Sequence, residues 1–213
     1  MPRLSRPARL AGAATAGYLL GTAPSADVAV RLAGGTADLR TQGTGNPGGA
    51  NALVVMGKGW GYGIMGVDMA KGALACGAGR RLAGDTGAHL AGTAAVVGHC
   101  FPIWNGFRGG KGVAASVGQC LATFPVYVPF DLGLAWLMAT PQWGRTVGTR
   151  TLVATAIAST AWVAVATLWW RRQLPNGWAP RATAGLPIAA AASSAVILSR
   201  FASAVLRTAG AER

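Results

Sequence analysis

Gly98 to Ser116 reads GHCFPIWNGFRGGKGVAAS: a histidine, a Phe-Pro turn and a glycine-flanked lysine set between two apolar runs. Glycines on both sides of Lys111 remove the Cβ that would hold a ligand off the backbone, and the ammonium adds positive charge. These residue types point to anion binding at a membrane edge. A second loop, Gly43 to Asn51 reading GTGNPGGAN, repeats the theme upstream. Its backbone N–H groups, the Thr44 hydroxyl and the amides of Asn46 and Asn51 are suited to surround a phosphate. Taken alone, the same stretch also reads as a Gly/Asn/Pro turn between helices.

Outward from these loops the chain is apolar. Of 213 residues, 52% are hydrophobic and 12% charged, which places the chain among membrane proteins and predicts one compact domain over residues 1–213. Apolar runs cover residues 10–32, 52–78, 88–104, 112–139, 151–170 and 183–206, several of them reaching the roughly 20 residues of a spanning helix. Arg3, Arg6 and Arg9 before the first run resemble the start of a signal peptide, but an uncleaved first helix fits the later spans better. The net charge of +13 fits attraction to anionic head groups. Its cations stand in ones and twos, without the basic stripe of a nucleic-acid binder, so nucleic acid is not an expected partner. Cys76, Cys100 and Cys120 lack metal-ligand spacing and read as buried free thiols.

Three segments in order, Gly43–Asn51, Val67–Gly72 and Gly98–Ala115, resemble the GSGNxGATN-like, LDxxKG-like and GHxFPxxxxFxGGKGVAT motifs of bacterial membrane-embedded glycerol-3-phosphate acyltransferases that use acyl-phosphate. The resemblance is good over residues 17–116. It implies an all-α polytopic helix bundle in the plasma membrane, with acyl-phosphate, glycerol-3-phosphate and membrane lipid as partners and a cytoplasmic active site. No cofactor and no metal are implied. If residues 34–51, 105–111 and 141–150 and the C-terminal tail share one face, parity predicts about seven membrane segments, with Pro125 and Pro129 breaking the run at 112–139 into short or re-entrant pieces.

Acyl transfer from a mixed phosphoric anhydride needs two anions held together, with fixed dipoles and cations facing the charge that develops. Phosphate is already a good leaving group, so no protein nucleophile is obligatory. The candidate catalytic residues are Lys111, Thr44 and His99, and the candidate substrate-binding residues are Arg40, Gly43, Gly45, Asn46, Gly48, Asn51, Gly109, Gly110 and Arg200. Lys111 otherwise reads as a snorkelling helix-end lysine, and His99 as an oriented structural donor. Asp68 and Lys71, three apart, read as a buried supporting pair, and Asp27 as the partner of Arg31 one helical turn on. His89 carries no motif.

Several positions, on the acceptor half of the site, depart from the family's pattern. Val54 stands where a basic residue usually follows the first loop. Arg145 to Thr151, RTVGTRT, carries Gly148 at a family serine, and Arg200 to Ser203, RFAS, stands at the HREN-like motif. Arg200 or Arg150 can replace a lost cation. These changes leave two alternatives beside the acyltransferase: a paralogue that takes another acceptor or binds without turnover, and a small membrane transporter or scaffold whose glycine loops only connect helices.

Overall fold

The computed structural model describes residues 4–36, 38–131, 133, 147–178 and 181–211. Among them the regular elements are all helical: α1 (Arg6–Gly21), α2 (Ser25–Leu32), α3 (Gly49–Val55), α4 (Lys58–Cys100), α5 (Val113–Thr123), α6 (Val147–Arg171) and α7 (Gly185–Ala211), with short 3₁₀ turns at Ile103–Asn105 and Pro125–Tyr127. The chain divides into two compact units, Met1–Gln119 and Cys120–Arg213.

The first unit is built on main-chain contact. Gly17 and Gly21 of α1, four apart and so on one helical face, lie against α4, where a Cβ on either would overlap the carbonyl of Ala91 or Ala95. Gly98 approaches the Tyr18 carbonyl in the same way, and Gly72 and Gly118 bring α4 and α5 together at Ala115 and Met69. α4 is a hairpin written as one helix: it breaks at Ala83 and at Gly84, whose φ of 66° favours glycine. The two arms then meet at Gly79 and Gly87, each against the other's carbonyl.

Two expected continuous runs are interrupted. The run at 10–32 ends its first helix at Gly21 and restarts at Ser25, because Pro24 lacks the N–H that would continue the ladder. The run at 52–78 turns back at Met56–Gly57, so that α3 packs on the start of α4. α2, Leu39, α3 and Ile64 of α4 enclose a small core of Ala26, Ala29, Val30, Leu39, Ala52 and Ile64. That core carries the first glycine loop.

The second unit centres on Phe124, Tyr127, Trp162, Ala166 and Leu186. Asn176 Nδ2 donates to the Thr123 carbonyl at 3.1 Å and Trp178 Nε1 to that of Leu121 at 2.8 Å, tying the loop after α6 to the end of α5. The chain bends by 118° between Val113–Thr123 and Pro125–Asp131, the break expected at Pro125. Residues 150–171 and 185–207 are each long and apolar enough to cross a bilayer, and the bent pair is a third candidate. Arg200 and Ser203 lie on α7, and Ser203 Oγ donates to the Ser199 carbonyl at 2.7 Å. Residues 141–146, including Arg145 of the expected loop motif, lie outside the described residues. Cys76, Cys100 and Cys120 are buried thiols in no disulfide, as their spacing predicted.

Candidate functional site

At one end of the first unit the three motifs meet. α1 stops at Gly21, Thr22 caps it by donating to the Leu19 carbonyl at 2.7 Å, and Trp104 Nε1 donates to Thr22 Oγ1 at 3.0 Å. A cleft opens there, lined by Ser25 and Asp27 of α2, Arg40 and Pro47 of the first loop, Lys71 and His99 of α4, and Asn105, Gly109 and Gly110 of the second loop.

Its floor is a buried polar cluster. Asp68 Oδ1 accepts from Ser25 Oγ at 2.5 Å and from Lys71 Nζ at 2.8 Å, and lies 3.5 Å from His99 Nδ1. Lys71 Nζ also donates to the Ala23 carbonyl at 3.2 Å. Asp68 and Lys71 therefore form the pair expected from their spacing. Lys71 also lines the cleft, and Ser25 joins the cluster without any signal in the sequence beyond its place after Pro24. With Nδ1 turned to Asp68, His99 has Nε2 as its remaining ring nitrogen.

The wall of the cleft is Arg40. Its Nη1 donates to Asp27 Oδ1 at 2.7 Å and to Asp38 Oδ1 at 3.0 Å, its Nη2 to Asp27 Oδ2 at 3.1 Å, and its Nε to the Arg108 carbonyl at 2.9 Å. This corrects the expected Asp27–Arg31 pair: the loop brings Arg40 to Asp27 as a two-pronged partner, a better geometry than one helical turn offers. Donation to Asp27 keeps the Arg40 pKa above the ordinary guanidinium value, against the opposite pull of burial. Asn105 Nδ2 also donates to Asp27 Oδ2, at 2.8 Å, so both glycine loops are held to α2 at one carboxylate.

The glycines serve a purpose other than the one read from the sequence. A Cβ on Gly110 would overlap the His99 imidazole and one on Gly109 the His99 carbonyl, so the pair lets the second loop lie on the end of α4 while lining the cleft. Their N–H groups donate to the carbonyls of Cys100 and His99, each at 3.1 Å. Lys111 follows, half-buried, just before α5.

In the first loop, Asn51 is buried, and both its amide hydrogens and its amide oxygen bond internally. Its Oδ1 accepts from the Thr44 N–H at 2.8 Å, and Nδ2 donates to the carbonyls of Leu39 at 3.0 Å and Gln42 at 2.9 Å. Gly43 has φ 58°, and a Cβ there would overlap Asn51 Oδ1. The N–H groups of Gly45 and Gly48 bond to the carbonyls of Gln42 and Asn46. Much of the polarity expected to face a phosphate thus folds the loop, which reaches the cleft through Pro47, while Thr44 and Gly45 are exposed and Asn46 half-buried. His89, on the second arm of α4, is buried away from these motifs.

Residues 11–209 match the family model for glycerol-3-phosphate acyltransferase. The chain belongs to this family. Among relatives in this acyltransferase family, the glycerol-3-phosphate acyltransferase of Paramagnetospirillum magneticum is 46% identical over 134 residues, covering 61% of this chain and 64% of its own length. That of Jannaschia sp. is 43% identical over 118 residues, covering 55% of each chain. The matched part thus spans less than two thirds of either relative. The crystal structure of PlsY, an integral membrane glycerol 3-phosphate acyltransferase, in its glycerol 3-phosphate form superposes with a TM-score of 0.72 at 25% identity, covering 95% of this chain and 92% of that one. With its apolar helices, this acyltransferase-family chain is a membrane protein.

Proposed function

We propose that the chain transfers an acyl group from acyl-phosphate to glycerol-3-phosphate, forming lysophosphatidic acid at the cytoplasmic face of the plasma membrane. The single integral-membrane domain has seven membrane segments in this reading, and the reaction needs neither metal nor cofactor. The observation that carries it is the cleft, where Arg40, Pro47 of the first motif, Lys71 of the second and His99 with the GG of the third come together.

The primary hydroxyl oxygen of glycerol-3-phosphate attacks the acyl carbon. The ester C–O bond forms as the bond from acyl carbon to phosphate oxygen breaks, and phosphate leaves with the electron pair. His99 Nε2 takes the hydroxyl proton as general base, with Asp68 at 3.5 Å from Nδ1 orienting the ring. Lys111 and Arg40 supply positive charge to the phosphates, and the Thr44 hydroxyl donates to the departing one. Gly43, Gly45, Asn46, Gly48 and Asn51 shape the loop that presents Thr44.

The test is purified protein supplied with acyl-phosphate and glycerol-3-phosphate, with acyl-CoA as comparison donor and other alcohols as acceptors. The expected outcome is lysophosphatidic acid and inorganic phosphate in equal amounts, with little product from acyl-CoA. Equal use of both donors, or no product from either, removes the proposal.

A further inference from the structure

The guanidinium at the cleft wall is already engaged by a carboxylate. Asp27 faces Arg40 with both oxygens, at 2.7 and 3.1 Å, the same parallel-fork geometry in which a guanidinium receives two oxygens of a phosphate. Both side chains line the cleft, and Asp27 is the more exposed of the two, at 31% against 13%. A phosphate dianion brought to Arg40 meets the negative charge of Asp27, so the two cannot comfortably share the same two nitrogens. Asp27 has another partner to keep, Asn105 Nδ2 at 2.8 Å.

We infer that Asp27 is an internal stand-in for substrate phosphate, holding Arg40 until the phosphate takes its place. Asp27 is therefore a positioning residue that sets anion affinity. Arg40 stays ordered between turnovers, and binding trades one fork for another instead of creating one from a mobile side chain. Asp38, nearly half exposed, reaches the guanidinium at Nη1 and also accepts from the Arg40 N–H at 2.9 Å, and it plays a lesser part in the same competition. The inference rests on the proposed phosphate chemistry and adds to it the residue that opposes binding.

The test uses full-length purified Asp27→Asn, titrated calorimetrically with inorganic phosphate and with glycerol-3-phosphate, alongside steady-state kinetics. Removing one charge-assisted competitor tightens the binding of both anions by roughly tenfold and lowers KM for glycerol-3-phosphate in proportion. The gain disappears in Asp27→Asn/Arg40→Gln, whereas Asp27→Glu, which keeps the charge, stays within about twofold of the parent. Unchanged or weaker phosphate binding by folded Asp27→Asn overturns the inference and makes Asp27 a fixed strut, as does an equal gain in Asp27→Glu. A protein that forms no lysophosphatidic acid yet still binds phosphate more tightly as Asp27→Asn loses the acyl-transfer reading and keeps the role of Asp27.

Discussion

Replacing Asn51 with alanine tests whether the first glycine loop is folded by its own amide lock. Three hydrogen bonds converge on that side chain: from the Thr44 N–H at 2.8 Å, to the Leu39 carbonyl at 3.0 Å and to the Gln42 carbonyl at 2.9 Å. A neutral hydrogen bond contributes about 1 kcal/mol net, and an orphaned buried group costs about 1–3 kcal/mol. The bond to Leu39 is buried, and Leu39 itself is only 2% exposed, so its carbonyl falls in the costly class. The other two bonds are partly open to water and fall in the cheaper one. The sum is about 3–5 kcal/mol of local stability, which accelerates amide exchange at Thr44 by about two to four orders of magnitude. Hydrogen–deuterium exchange over peptides spanning residues 39–51 measures this, with peptides from the second arm of α4 as reference. Asn51→Asp sharpens the test, because it keeps an acceptor for Thr44 but sets a carboxylate oxygen against two carbonyls, and exchange accelerates at least as much. Unchanged protection together with lost phosphate affinity refutes the reasoning: Asn51 is then a direct ligand.

Gly110→Ala puts a methyl group into the His99 imidazole; overpacking of this kind costs about 1–3 kcal/mol, and kcat falls with thermal stability, while Gly63→Ala, in open space on the first arm of α4, changes neither. Wild-type kcat in Gly110→Ala contradicts the close packing described. Lys111→Ala loses activity by tenfold or more while folded yield changes little, since a charge-assisted contact to phosphate contributes about 1.5–3 kcal/mol; near-parental kcat/KM removes Lys111 from the chemistry. Gly21→Val sets a branched side chain on the Ala95 carbonyl, where backbone cannot yield as a side chain does, so detergent-purified protein loses its folded, monodisperse peak and melts well below the parent.

The sequence made the helical class and the meeting of three motifs legible because both rest on local signals, apolar runs and glycine spacing. Pro125 likewise announced its own break. Pairings were harder to read. The helical i+4 rule pairs Asp27 with Arg31, yet its partner is Arg40, thirteen residues away, brought in by a loop whose path the rule does not contain. Ser25 reaches Asp68 across 43 residues for the same reason. Gly109 and Gly110 looked like room for a ligand, when most of that room is filled by His99. A glycine-rich pattern records that something comes close to the backbone, and the partner is known only once the chain has folded.

The contact of α1 with α4 at Gly17, Gly21 and Gly98 also bears on how such a unit holds together in lipid. Apolar side chains gain little there by exchanging lipid neighbours for protein ones, and long side chains surrender rotamer freedom when they interlock. Gly and Ala have no rotamers to surrender. Two backbones that meet directly keep the whole of their dispersion energy and weak Cα–H···O attraction. The rigidity of the seat beneath Arg40, Asp68 and His99 thus comes from residues without side-chain chemistry of their own.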